Sequence, residues 1–273
     1  MDLNGCKMIV HLAARVHQMN DSAVNPESEY RRGNRDLTVN LAKQALEQEV
    51  EKFIFISSVK VIGESPGKYD INVSCNPADL YGISKKEAED ELCELFAGVN
   101  NSKCIVIRLP MVYGPGNKGN MLSLLKAASK HCILPLGSAN AKRSMINVDN
   151  VCDAILKILN DNGSSRSSYT TYFLSDNRDL SSRELYSLIY KNMHNGSGVF
   201  PFPEPFFRFL GAAGSIMEKV FQKKFPLNKD VVSRLFDEYR FSSSEFCKDY
   251  TWNPVITPEE GIKKTVEWYS QIN

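Results

Sequence analysis

Three short runs rich in β-branched and aromatic residues, Met8 to Leu12, Phe53 to Ile56 and Cys104 to Leu109, alternate with segments whose apolar residues recur at helical spacing. Between the first two runs Leu37, Leu41, Ala42, Ala45 and Leu46 return every three or four residues. After the third, Val151, Ala154, Ile155, Ile158 and Leu159 do the same, behind Asp149 as a candidate cap. Short strands that are apolar throughout belong in a parallel sheet covered by helices on both faces. The pattern predicts an α/β chain with a doubly wound parallel sheet over residues 1–175.

Past residue 175 the pattern changes. Capping boxes at Ser181 to Glu184 and Thr257 to Glu260, the second with Pro258 at the first helical position, start helices expected to reach about Met193 and Tyr269. The Pro/Phe-rich stretch between them has too few turn signals for a sheet, and Pro201, Pro203 and Pro205 argue against one helix. Residues 176–273 are therefore expected to form a smaller, mainly helical lobe.

With 33 basic and 32 acidic residues among 273, the net charge is +1, which argues against a disordered chain or a nucleic-acid-coating protein. Seven cysteines without a C-x-x-C pair fit neither a disulfide framework nor a zinc site, so reduced thiols, a cytoplasmic location and no metal are expected. The apolar run Met8 to Ala14 is interrupted by His11 and has no basic stretch before it, unlike a signal peptide. No window matches the roughly 18 apolar residues of a membrane span. The segment Phe200 to Phe225, with Lys219, Lys223 and Lys224, has some character of a membrane-surface helix, but its prolines favour an interior lobe or a subunit contact.

Gly114, Gly116 and Gly119 match G-x-G-x-x-G after a strand. The dinucleotide fingerprint also needs an acid about 20 residues on, and none lies between Gly119 and Val148; Pro115 removes an N–H as well. A sharp turn out of a strand is the preferred reading. The stronger signal is YGISK, Tyr81 and Lys85, followed by Ala88, Leu92, Leu95 and Phe96 on the same helical face. An inward lysine one turn from a phenol can stabilise a phenolate; a lysine snorkelling at the edge of the face is the alternative, and spacing alone leaves both open. Ser57 and Ser58 end the Phe53 to Ile56 run, where open α/β sheets bind their ligands.

The segments MIVHLAARVH, YRRGNRDLTVNLAKQA, KFIFISSVKVIGE, LYGISKKEAE, IVIRLPMVYGPG, KRSMINVDNVCDAI and YTWNPVITPEEGIKKTVEWY follow one another in the order found in extended short-chain dehydrogenases/reductases. The sequence most resembles their NAD-dependent nucleotide-sugar epimerases and dehydratases of the UDP-glucose 4-epimerase type. The resemblance implies a Rossmann-like domain over 1–175, with 115–147 contributing to a nucleotide-sugar-binding lobe at 176–273. It implies NAD as cofactor, with NADP as the alternative, a UDP-linked substrate and a homodimer formed through the Tyr81 helix. Tyr81 is then the acid/base, Lys85 lowers its pKa and holds the nicotinamide ribose, and Ser58 orients the sugar oxygen. Leu12, Ala13 and Ala14 line the cofactor, Ser57, Pro110 and Val112 lie near the nicotinamide, and Asn34 orders the site. Asn120, Arg143 and Arg234 hold the nucleotide diphosphate, and His17 and Lys60 face the sugar.

The implied chemistry is transient oxidation to a keto-sugar followed by reduction from the opposite face. One-way reduction of a 4-keto-sugar in surface-polysaccharide synthesis is the alternative. Dehydratases carry an acidic pair beside the serine; here Val59 and Lys60 follow Ser58, which argues against dehydration. Met111 stands where many epimerases have asparagine, and Leu37 where a small residue is common. The family's Gly-rich turn and ribose-binding acid precede the HLAA strand by about 60 or more residues. The sequence has eight residues ahead of Ile9, so an N-terminally incomplete sheet with an exposed apolar edge is expected. A shortened reading of a working enzyme and a non-catalytic, nucleotide-sugar-binding remnant are both open on this ground.

Overall fold

The computed structural model describes residues 3–16, 25–161, 167–221 and 227–272. Its centre is a sheet of β1 (Met8–His11), β2 (Lys52–Ser58), β4 (Lys103–Leu109) and β8 (Tyr169–Phe173), in the order β1-β2-β4-β8. All its pairings are parallel. Alternation along the strands sends side chains to two faces. Phe53, Phe55, Cys104 and Val106 pack on α2 (Leu37–Glu47) and α3 (Leu80–Phe96) through Ala42, Ala45, Ala88, Leu92 and Phe96. Ile54, Ile105 and Ile107 face the opposite way, onto Val151, Ala154 and Ile158 of α5 (Val148–Asn160) and Phe246 of α9 (Ser244–Tyr250). Helices on both faces make this the expected doubly wound α/β sheet.

The second lobe is less uniformly helical than its sequence suggests. Its core joins α4 (Gly119–Ser129), α6 (Ser182–Met193) and α10 (Pro258–Ile272), around Met121, Leu125, Tyr186, Ile189, Ile262 and Val266. A second, mixed sheet joins β3 (Gly67–Tyr69), β10 (Tyr239–Phe241), β6 (Lys142–Arg143) and β9 (Leu180–Ser181) in that order. A parallel pair, β5 (Met111–Tyr113) with β7 (Met145–Asn147), forms a separate two-stranded sheet. Strands of two or three residues are too short to show a period-2 pattern, so the sequence does not announce them.

Local expectations are corrected at three points. The α5 cap is Asn147, whose side chain accepts from Asp149 N at 2.8 Å, because the helix begins at Val148. Leu12 lies beyond the end of β1 and is exposed. The Pro/Phe-rich stretch does form one helix, α7 (Glu204–Phe221), because Pro201 and Pro203 precede it and Pro205 sits in its first turn, where no backbone bond is lost. α8 (Lys229–Phe236) packs against it. Phe206, Phe209, Ile216, Met217 and Phe221 of α7 are exposed, while Lys223 and Lys224 lie outside the described residues. No helix among the described residues is long and apolar enough to cross a membrane. The three glycines after β5 all have positive φ, Gly114 at 151°, Gly116 at 83° and Gly119 at 63°, as a sharp turn into α4 requires.

Candidate active site

Parallel strands end on a common edge, and the carboxyl edge of the sheet brings together Leu12 to Ala14 after β1, Ser57 and Ser58 on β2, and Pro110 after β4. α3 is docked there by its first turn. Asp79 caps it, accepting from Gly82 N at 2.7 Å. A Cβ on Gly82 would stand 2.6 Å from Lys60 O, so only glycine lets this turn press against the loop that follows β2. Ser58 is thereby placed near the Tyr81 phenol, whose pKa it draws downward.

Tyr81 is raised above the ordinary tyrosine pKa, chiefly by burial, and Ser58 opposes this only in part. Lys85 is inward and 1% exposed, which decides against a lysine at the edge of the face. Burial lowers it to about 8, while Glu89, one turn further along α3, pulls the other way. Its Nζ donates to Ile56 O at 2.8 Å and lies 4.3 Å from the centre of the Phe55 ring. The ammonium thus leans on β2, and Lys85 is not among the groups that shift the Tyr81 pKa. With three donors and one acceptor among the described residues, Lys85 has N–H groups available for a further oxygen.

Asn34 is fully buried in a π-helical stretch, Arg31–Asp36, between α1 (Pro26–Tyr30) and α2. Its side chain accepts from Arg15 N at 2.7 Å and donates to Arg15 O at 3.0 Å and Ser84 Oγ at 2.9 Å. It therefore ties the loop after β1 to the Tyr81 helix. His11, at the end of β1, bonds Thr38 Oγ1 through Nε2 at 2.8 Å and stacks on Phe55. Burial first, and the Lys85 charge second, hold its pKa down to about 4.

The cationic residues form a second group. Lys60, in the turn Val59–Ile62, is ion-paired with Glu64 and, at 3.2 Å, with Asp79. Arg234 of α8 reaches the same Glu64 at 4.0 Å. Arg143 of β6 lies 5.0 Å from the Tyr239 ring centre and donates to Asp237 O at 3.5 Å. Burial lowers its pKa, and Arg234 adds to the shift as a nearby like charge. Asn120 is exposed at the start of α4, away from these contacts, and His17 lies outside the described residues.

Sequence reasoning passed over four groups that the fold places here: His11, Thr38, Glu89 and Arg108. Glu89 was the most accessible of them, since it follows Lys85 at the i+4 spacing. Among the described residues no cluster could hold a metal ion, and all seven cysteines are free thiols.

Residues 1–170 match the NAD dependent epimerase/dehydratase family. The whole chain aligns at 34% identity with 80% of a UDP-glucose 4-epimerase from Vibrio cholerae. The chain belongs to this family. An N-acetyl-alpha-D-glucosaminyl-diphospho-ditrans,octacis-undecaprenol 4-epimerase from Escherichia coli O157:H7 is 26% identical over 97% of this epimerase/dehydratase chain and 78% of its own length. Among solved structures, UDP-glucuronic acid 4-epimerase from Bacillus cereus, in complex with UDP-glucuronic acid and NAD, superposes with a TM-score of 0.72 at 17% identity. That superposition covers 98% of this chain and 76% of the other. RMD from Pseudomonas aeruginosa complexed with NADPH gives 0.71 at 18% identity, covering 97% and 82%. These likenesses carry the Rossmann-type fold.

NAD is the cofactor of the family, and the residues present suit the nicotinamide end of it. The loop Leu12 to Ala14 presents Leu12 and Ala13 to solvent, and Lys85 keeps N–H groups beyond the one given to Ile56 O.

Proposed function

We propose that the protein is an NAD-dependent nucleotide-sugar 4-epimerase acting on UDP-glucose or UDP-N-acetylglucosamine type substrates through a transient 4-keto sugar. The observation that carries this reading is the buried, inward Lys85 one helical turn from Tyr81 on α3, with Ser58 at the carboxyl end of β2. Bound NAD supplies the hydride acceptor and donor. Lys85 and the Leu12 to Ala14 loop hold its nicotinamide end, with Ser57, Pro110 and Val112 nearby, and Asn34 keeps that loop in place. Ser58 donates to the sugar oxygen and to the phenol in turn, and Tyr81 removes and returns the hydroxyl proton. Lys85 provides the positive charge that makes phenolate formation affordable in a buried site. Arg143 and Arg234, with Asn120, hold the diphosphate, and Lys60 faces the sugar.

The test is interconversion of UDP-glucose with UDP-galactose, and of the N-acetylated pair, by the protein with NAD. Turnover lost in Tyr81→Phe with NAD affinity intact supports the reading. Undiminished turnover in that variant overturns it.

One observation favours a second substrate. α7 shows its apolar residues to solvent, and it is tied to the arginine group through Arg208, which bonds Asp237 at 3.1 Å. A sugar carried on a polyprenyl diphosphate, the kind of substrate the Escherichia coli relative's name gives, would use such a face. Faster epimerisation of a polyprenyl-diphosphate-linked N-acetylglucosamine than of UDP-N-acetylglucosamine selects this substrate; the reverse order excludes it.

A further inference from the structure

Beneath Ser57 the core holds an ion pair that the proposed reaction does not use. Arg108 of β4 meets Glu89 of α3 in a two-pronged contact, Nη2 to Oε2 at 2.7 Å and Nε to both oxygens at 3.2 Å. The Glu89 side chain is 1% exposed and that of Arg108 8%. A buried pair of this kind gives back little more than its desolvation cost, and apolar residues of similar size usually serve stability as well or better. Its geometry gives it another use.

Three connections run from the pair into the site. The Ser57 hydroxyl donates to Glu89 Oε1 at 2.5 Å. Ser57 also stands directly opposite Arg108 in the β2·β4 register, so one residue of β2 is gripped from the neighbouring strand and from the helix. Its two neighbours are the parts of β2 that matter to the chemistry: Ile56 O accepts from Lys85, and Ser58 is the hydroxyl assigned to the sugar oxygen, which also draws the Tyr81 pKa downward. The third connection is electrostatic, since the Glu89 carboxylate lies one turn from Lys85 and favours its charged form. Arg108 competes for that carboxylate, and is itself fixed by the Phe173 ring at 5.6 Å and by Cys75 Sγ at 3.3 Å.

We propose that Glu89 and Arg108 are positioning residues for the reaction. They hold the Ile56–Ser58 end of β2 against α3, and Arg108 balances Glu89 so that the Lys85 charge stays directed at the site rather than at its own helix. The proposal rests on the roles given above to Tyr81, Lys85 and Ser58. The charged and titratable groups around Lys85 are His11 from β1 and Glu89 from α3; around Tyr81 they are Asp79 and Tyr30; around Arg108 they are Glu89, Cys75 and Tyr169.

The experiment follows the Lys85 ammonium by NMR in protein carrying 15N-labelled lysine, its signal assigned by its disappearance in Lys85→Arg, alongside the pH profile of kcat. Glu89→Gln is expected to move the Lys85 titration and the alkaline limb of kcat down by about one pH unit, and Arg108→Met to move both up. Ser57→Ala is expected to lower kcat about tenfold with KM within about twofold, as for a group acting through its neighbours. Because a single charge left in the core can prevent folding, the double variant Glu89→Leu/Arg108→Met is included. It is expected to fold and still lack most of the kcat. A Lys85 titration unmoved in folded Glu89→Gln, or full kcat in the double variant, overturns the proposal. The NMR titration needs no turnover, so it judges the pair even where Tyr81→Phe has shown the catalytic reading itself to be wrong.

Discussion

The carboxyl edge of the sheet and the cationic group facing it are built in opposite ways. Asn34, Lys85, Glu89 and Arg108 are all nearly or fully buried and held by direct hydrogen bonds, Asn34 to Ser84, Lys85 to Ile56 O, and Glu89 to Ser57 and Arg108. Lys60, Arg143 and Arg234 are half-buried or exposed, and their partners, Glu64 and the carbonyl of Asp237, are contacts that water or another anion can replace. Buried bonds fix a geometry before a substrate arrives, which is what proton transfer demands. Exchangeable ion pairs keep cations in place without committing them. Substitutions in the first region should therefore act on kcat and on folding, and those in the second on KM and its salt dependence.

The largest expected effect tests the first half of that contrast. Tyr81→Phe should lower kcat by about 10²- to 10⁴-fold, with the thermal midpoint nearly unchanged; steady-state kinetics and a melting curve on the same preparation decide it. Next, Arg143→Ala should raise KM for a UDP-sugar about ten- to a hundredfold with kcat within about twofold. Arg234→Ala, at a more exposed position, should do less, and both losses should shrink at high salt. A kcat effect in Arg143→Ala would blur the division between the regions.

The third effect is on stability. The folded protein keeps His11 neutral down to about pH 4, while the unfolded chain takes up the proton near 6.5. Stability from this residue is thus fully present above pH 6.5 and falls as the pH drops from there towards 4. Between pH 8 and pH 5 the loss should be about 2 kcal/mol, read from urea midpoints, and His11→Asn should flatten that limb. The smallest effect belongs to the outer lobe. Ser181→Ala removes half of the capping box of α6, in which Glu184 N donates to Ser181 Oγ and Ser181 N to Glu184 Oε2, and should cost about 1 kcal/mol in the same assay.

The two regions also differed in how well the sequence showed them. The α3 face could be read because Tyr81, Lys85, Ala88, Leu92 and Phe96 share one helix, where period alone fixes direction. The alternating runs likewise gave the parallel sheet, missing only β8, whose Tyr169–Phe173 run is short and rich in threonine and tyrosine. Arg108 could not be assigned in this way. It sits in an apolar strand run, and its partner is 19 residues away across a helix-to-strand contact that no local pattern encodes. Arg143 and Arg234 come together through strands of two and three residues and a helix of eight, elements too short to leave a periodic trace. The π-helical stretch left no trace either, because Gly33, Asn34 and Asp36 weaken the helix signal without saying what hydrogen bonding replaces it.

That stretch has a consequence for how the site could have arisen. A π-helical segment is an α-helix carrying one residue more than its hydrogen bonding needs. Pro26 to Glu47 runs without a break through α1, Arg31–Asp36 and α2, so the extra residue is absorbed inside one continuous rod. Removing Gly33 would let the rod regularise, and each residue before the deletion would rotate by about 100° relative to those after it. The shortened chain would have the better helix, but Asn34 could no longer face both Arg15 and Ser84. A one-residue insertion, tolerated at the expense of helix regularity, is thus enough to turn a packing helix into a clamp on the neighbouring loop.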